Sequence, residues 1–214
     1  MKLIIDALIV ALILTNLRLI ASSRIASCIY VVALQGILLG FLPLLVGTEA
    51  VTFRAYVLSG ITIVLKGMIF PWLLLRALDA VNVRREIEPL VGYTTSLLVG
   101  AVLLALAMWL GRRLPLPVSA DSPFMVPLAL FTIMIGLFAI VSRRKALTQV
   151  LGYLVMENGI YAFGLTFARQ EPLLVEIGTL LDVFMAVFVM GIAIFHISRE
   201  FDHIDTDRLS LLRD

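Results

Sequence analysis

The chain has 214 residues, of which 61% are hydrophobic and only 15% charged, and its mean hydropathy is +1.07. Soluble domains carry about 25% charged residues, and a soluble fold of this size could not hide so much apolar surface; the composition requires an integral membrane protein. The net charge of +2 is spread over short cationic clusters between apolar runs, which excludes a basic nucleic-acid face.

A helix needs about 20 apolar residues to cross a hydrocarbon core of about 30 Å. On that rule seven spans are predicted, over 3–20, 25–46, 55–75, 91–110, 124–141, 146–168 and 173–197. The runs are too long for strands and lack their alternation, so the expected fold is an all-α integral membrane protein. Lys2, the apolar run and the small residues after it resemble a signal peptide. Asp6 interrupts that run and no small-x-small site follows, so a first membrane helix is the better reading.

The second span carries Gln35. The third has a polar face of Ser59, Thr62 and Lys66, with Pro71 five residues after the lysine, where it frees a backbone carbonyl and favours a kink. Arg84, Arg85 and Glu86 bound the fourth span on one side, and Gly111, Arg112 and Arg113 bound it on the other. The proline-rich stretch Leu114–Pro127 leads to the fifth.

In the sixth span Glu157 has Tyr153 and Tyr161 at i−4 and i+4, both able to hydrogen-bond a carboxylate or a water, and Asn158 beside it. The seventh holds Asp182, with Gly178 and Ala186 making a small-residue face for close helix approach. Glu176 falls about 5 Å below the outer boundary, as a vestibule group or an interfacial one. Trp72 and Trp109 lie near span ends and read as interfacial anchors. The tail from Arg199 to Asp214 alternates charges with Phe201, Ile204, Leu209 and Leu211, as a docking helix or a solvated segment.

One cysteine, Cys28, excludes internal disulfides, iron–sulfur ligation and a thiolate zinc site. His196 and His203 both fall at or beyond the end of the last apolar run and cannot ligate a haem from two facing helices. No cofactor is expected in this chain.

Loop parity places eleven Lys and Arg residues on one side and five on the other, with Lys66 inside the membrane. The excess predicts the N-terminus outside and the C-terminus inside, although Arg112 and Arg113 oppose it. At a rise of about 1.5 Å per residue, Lys66, Glu157, Asp182 and Gln35 lie about 15, 18, 14 and 15 Å from their respective span ends. A charge at the bilayer centre costs roughly 2.5–3.5 kcal/mol, so such residues face protein or water, pair, or move ions. A trans-membrane pore would stagger polar groups across the bilayer, whereas a row at one depth suggests a lateral polar seam along which protons hop. Each member also has a structural reading: Lys66 as half of an ion pair, Glu157 and Asp182 as packing groups, Gln35 and Asn158 as interhelical hydrogen-bonding glue.

The segment Val141–Gly159, containing Met156-Glu157-Asn158-Gly159, is followed by Leu174–Gly178, containing Val175-Glu176-Ile177-Gly178, and by Asp182–Met190. Together with the Lys66–Pro71 spacing these resemble hydrogenase-4 component E, a family of membrane subunits of formate hydrogenlyase-like, group 4 nickel–iron hydrogenase complexes. The last three spans are similar, more distantly, to the K-type subunit of complex I and the C-type subunit of Mrp antiporters, which carry essential glutamates in their second and third helices. Aligning Arg143 and Arg144 puts Leu154 at the first of those glutamates; Glu157 lies three residues later on the same face, and Asp182 within about two residues of the second.

The resemblance implies one membrane domain. It has N-terminal helices over 1–90 with a weak repeat, a linker helix and loop over 91–123, a K-type three-helix unit over 124–199, and a cytoplasmic tail over 200–214. It implies a non-catalytic subunit of a complex-I-like hydrogenase in a prokaryotic cytoplasmic membrane. Nickel–iron and iron–sulfur centres would sit in soluble partner subunits, and antiporter-like membrane subunits would flank the chain. The expected function is a lateral proton or ion path through Glu157, Asp182 and Lys66, assisted by Gln35, Tyr153, Asn158, Tyr161 and Glu176. The alternative is a scaffold joining antiporter-like subunits without ion transfer. A self-contained transporter or membrane enzyme is disfavoured, because no substrate pocket, serine elbow or metal motif is evident.

Overall fold

Every described element is a helix, because long apolar runs in a bilayer must satisfy their backbone groups internally. A computed structural model describes residues 2–45, 53–80, 91–114, 122–144 and 146–167, together with Phe184 and Gly191. In order these form α1 (Lys2–Ala21), α2 (Ile25–Leu45), α3 (Phe53–Val64), a π-helical turn (Leu65–Ile69), α4 (Phe70–Ala80), α5 (Tyr93–Arg113), α6 (Met125–Ser142) and α7 (Ala146–Phe167). Helix α3, the π turn and α4 run on as one rod.

Six of the seven expected spans therefore fall on described helices, and the seventh, with Asp182, lies outside the described residues. Boundaries move by a few residues. The fourth span ends at Arg113 rather than 110, so Arg112 and Arg113 belong to its last turn, where Arg113 lies 4.8 Å from the Trp109 ring. The third extends to Ala80 and carries Arg76 on the helix, 5.4 Å from the Trp72 ring. These cation–aromatic contacts suit an interface where the ring is half in lipid.

Among the described residues, five stretches are long and apolar enough to cross a membrane: α1, α2, 55–79 across the π turn, α5 and α6. Helix α7 is as long, carries Glu157 in mid-span, and lies antiparallel along α6. A methyl on Gly159 would meet the Ile133 nitrogen at 2.6 Å and the Ala129 carbonyl oxygen at 2.9 Å. One on Gly152 would meet the Ile140 nitrogen at 2.8 Å, and one on Gly136 would fall on the Met156 backbone. The two backbones approach this closely only because these positions lack a side chain.

The two ends of the bundle are tied by polar groups. At one end the Ser122 hydroxyl donates to Asp6 Oδ1 at 2.7 Å and accepts from the Phe124 N–H at 3.3 Å, which accommodates the carboxylate that interrupts the apolar run of α1. At the other end Arg143, just past α6, is buried and its guanidinium donates to the Ile20 carbonyl at 3.1 Å. A cation there satisfies a carbonyl in the last turn of α1 and complements its dipole. Burial holds the Arg143 guanidinium below the usual arginine range.

Among the described residues, the apolar interior is divided in two. One cluster, near the Arg143 end, includes Leu19, Ile29, Phe70, Ile135, Leu151 and Val155; the other, near Asp6, includes Ile9, Leu12, Leu39, Leu128, Ala162 and Leu165. Between them lies a layer that is not apolar.

Candidate functional site: a polar layer between two apolar clusters

Helices α1, α2, α6 and α7 each contribute buried polar residues between the two clusters. Helix α1 places Thr15 and Asn16 between Leu12 and Leu19; α2 places Gln35 between Val32 and Leu39; α6 places Thr132; α7 places Glu157 and Asn158 between Val155 and Tyr161. The α3–α4 rod adds Ser59, Thr62 and Lys66. Asn16 and Thr62 are fully buried, and Gln35, Lys66, Glu157 and Asn158 are 1%, 3%, 2% and 2% exposed. Gln35, Lys66 and Glu157 thus share the space between the clusters, and Asp182, the fourth residue of the expected row, lies outside the described residues.

Gln35 is the hub of the hydrogen-bonded part. Its amide nitrogen donates to Asn16 Oδ1 at 2.9 Å and to the Thr15 hydroxyl at 3.1 Å, and its carbonyl oxygen accepts from the Asn158 amide at 3.5 Å. Asn16 in turn donates to the Thr132 hydroxyl at 2.8 Å. Both threonines pass their own protons to backbone carbonyls one turn earlier: Thr15 to Leu12 at 2.7 Å, Thr132 to Leu128 at 2.8 Å. Four helices are joined by this chain, and every donor in it is directed, which matters where water is scarce.

Lys66 enters the layer on the π turn. The Phe70 N–H bonds the Leu65 carbonyl, one residue further back than in an α-helix, and Pro71 has no N–H with which to resume the regular ladder. The widened turn seats directly on α2. A methyl on Gly36 would meet the Lys66 carbonyl carbon at 2.8 Å, and one on Gly67 would meet the Ile37 side chain at 2.7 Å. The kink expected from Pro71 is therefore realised as a π turn, with two glycines making room for it. From there the Lys66 ammonium lies 5.0 Å from the centre of the Tyr161 ring, and the Thr62 hydroxyl donates to the Tyr161 hydroxyl at 3.2 Å. The ring face attracts a protonated amine. Ser59 donates to the Gly40 carbonyl one level further out.

The structure brings together Lys66, Gln35, Asn158 and Tyr161, with Glu157 one turn from Tyr161 on the same helix. Tyr153 is half-buried; it packs on the apolar cluster near Arg143 and stays close enough to Glu157 to feel its charge. Leu154 belongs to the same apolar cluster, so the carboxyl three residues later is the group that reaches the polar layer. Asp182, Glu176, the histidines and the tail lie outside the described residues.

Sequence reasoning missed Asn16, Thr15, Thr132 and Gly36. Asn16 carried a readable signal, being an amide inside an otherwise apolar run, but a search for charges passes over it. Thr132 and Gly36 carried none, since threonine and glycine are common in membrane helices.

Among known proteins, the uncharacterized protein Rv0085 of Mycobacterium tuberculosis is 34% identical over 209 residues, covering 95% of this chain and 93% of that protein. Hydrogenase-4 component E of Escherichia coli K12 is 32% identical over 126 residues, 59% of this chain, and the Shigella flexneri component E matches to the same extent. The match spans 58% of component E's own length. Residues 124–214 match the family NADH-ubiquinone/plastoquinone oxidoreductase chain 4L. No solved structure matches. The chain is a multi-pass, all-α membrane protein that belongs to the family of Rv0085, is related to hydrogenase-4 component E, and carries chain 4L-type sequence in its C-terminal part.

Proposed function

We propose that this chain is a non-catalytic membrane subunit of a complex-I-like hydrogenase or related oxidoreductase complex, and that its polar layer forms part of a lateral proton or ion path. The relatedness to hydrogenase-4 component E and to chain 4L supports the first half. The observation that carries the second is the placement of Lys66, Glu157 and Tyr161, three groups able to hold or release a proton, in one buried layer between two apolar clusters. Gln35, Asn158 and Asn16 do not titrate in this range; they orient the layer and can order water in it. In this reading Asp182 continues the path on the seventh span, with Glu176 toward its outer end, and redox chemistry at nickel–iron and iron–sulfur centres belongs to soluble partner subunits. Antiporter-like membrane subunits adjoin the layer and receive the proton. The chain sits in a prokaryotic cytoplasmic membrane with its N-terminus outside.

Replacing Glu157 by Gln keeps the volume and removes the titrating group. Proton uptake or release by the reconstituted complex should fall sharply while subunit composition stays intact. Normal coupling in a fully assembled Glu157→Gln complex defeats the path.

A scaffold reading has its own support, because the Asn16–Gln35–Asn158–Thr132 chain is a set of directed hydrogen bonds of the kind that holds helices together. It predicts that Glu157→Gln either alters assembly or changes nothing, never coupling alone.

A further inference from the structure

The half of the α1–α2 seam nearer Arg143 does not close. Between the two helices lies a groove of about 590 Å³, lined among others by Leu14, Thr15, Arg18, Arg24, Tyr30 and Leu34. Its volume is in the range that encloses a small organic ligand, roughly 300–1,000 Å³. Arg18, in the last turn of α1, and Arg24, just before α2, stand exposed at its mouth. Leu14, Tyr30 and Leu34 form exposed walls beyond them, at 59%, 62% and 46% exposure.

Two features fix the chemistry of an occupant. The first is charge. Two guanidinium groups stand at the mouth and no carboxylate lines the groove among the described residues, so the complementary group is an anion, and guanidinium forks favour phosphate. The second is length. From Arg24 to Leu34 is about 15 Å along α2 at about 1.5 Å per residue, which is half of a hydrocarbon core of about 30 Å. The groove thus runs from the headgroup level to the bilayer centre, one leaflet deep, with its cations at the water end and its leucines at the lipid end.

We propose that the α1–α2 groove is a binding site for an anionic phospholipid of the leaflet on the Arg143 side, its phosphate held by Arg18 and Arg24 and an acyl chain laid against Leu14, Tyr30 and Leu34. A soluble phosphate would satisfy the mouth but leave the apolar walls unoccupied, and a zwitterionic lipid would bring a cation to two cations. At its inner limit the lipid chain would meet Thr15, which hydrogen-bonds Gln35, so an occupied groove seals the polar layer from the lipid side. The lipid site itself does not depend on the proton-path reading.

The test is native mass spectrometry of the full chain, alone or with the subunits that co-purify, after equilibration in mild detergent with phosphatidylglycerol or phosphatidylcholine, and separately with inorganic phosphate. One phosphatidylglycerol should be retained in preference to phosphatidylcholine and should resist phosphate. Arg18→Gln and Arg24→Gln should each weaken retention roughly fivefold, and together roughly 25-fold. Both residues are exposed, so the fold is undisturbed. Leu34→Trp, which fills the lower wall while keeping both cations, should also displace the lipid. Equal retention of the two lipids, unchanged retention in the double arginine variant, displacement by phosphate alone, or capture of a partner subunit rather than lipid by a cross-linker at Leu34→Cys would each overturn the assignment.

Discussion

Helices α5 and α7 are nearly equal in length, 21 and 22 residues, and they meet the bilayer in opposite ways. Helix α5 turns Leu98, Val102 and Trp109 outward at 65%, 66% and 52% exposure and buries only the small residues Ser96, Gly100 and Ala107. Helix α7 buries Thr148, Glu157, Asn158 and Thr166 and presses its glycines against α6. In water, burial selects apolar side chains; in lipid, apolar side chains are content on either side and polar ones must find protein. The helix that carries a carboxyl and an amide in mid-span is therefore among the most enclosed, and the place to look for function is where polar residues interrupt an apolar run.

The sharpest test of that contrast is steric. Gly159→Val on α7 forces a branched side chain onto the Ile133 and Ala129 backbones and should cost about 1–3 kcal/mol or more, seen as a lowered midpoint of thermal unfolding in detergent. An unshifted midpoint would mean that the α6–α7 seam is looser than described. Next comes Gln35→Leu, which removes the hub while filling the same space. Asn16 and Asn158 then each lose a partner, and the expected loss is about 1–2 kcal/mol by the same assay. Pairing it with Asn16→Leu should recover part of that loss, because the stranded amide goes too; strict additivity would say the two do not share a network. The smallest effect belongs to α5. Val102→Ala removes side chain from a surface that lipid covers, so stability should stay within about 0.5 kcal/mol. A large loss there would show that α5 has a protein neighbour on that face.

Much of the site was readable before any coordinates. Lys66 and Glu157 announce themselves because a charge in a lipid span is costly, and Gln35 and Asn158 share their depth by counting residues at a constant rise. The two tyrosines beside Glu157 have different surroundings, for a geometric reason. Positions i−4 and i+4 share a helical face, but they lie about two turns apart. Only Tyr161 has the rod with Thr62 and Lys66 opposite it, while Tyr153 meets the apolar cluster near Arg143. Arg143 is a second case. Counted with the loop cations it serves the orientation argument, yet its side chain turns inward to the end of α1, because a short turn between α6 and α7 leaves it against the Ile20 carbonyl.

Sequence alone determined that this chain lives in a membrane as helices, which of its helices carry polar groups, and roughly how deep those groups lie. These follow from length, apolar content and a fixed rise per residue, all of them local quantities. Tertiary structure decided which face of each helix meets which neighbour: that Gln35 joins Asn16 and Asn158, that the π turn seats Lys66 against Gly36 and beneath Tyr161, and that the interior divides into two apolar clusters with a polar layer between. Rotation about a helix axis does not change hydropathy when lipid and packed core are equally apolar. It is set by close contacts between glycines and backbones and by directed hydrogen bonds, which exist only once the helices are together.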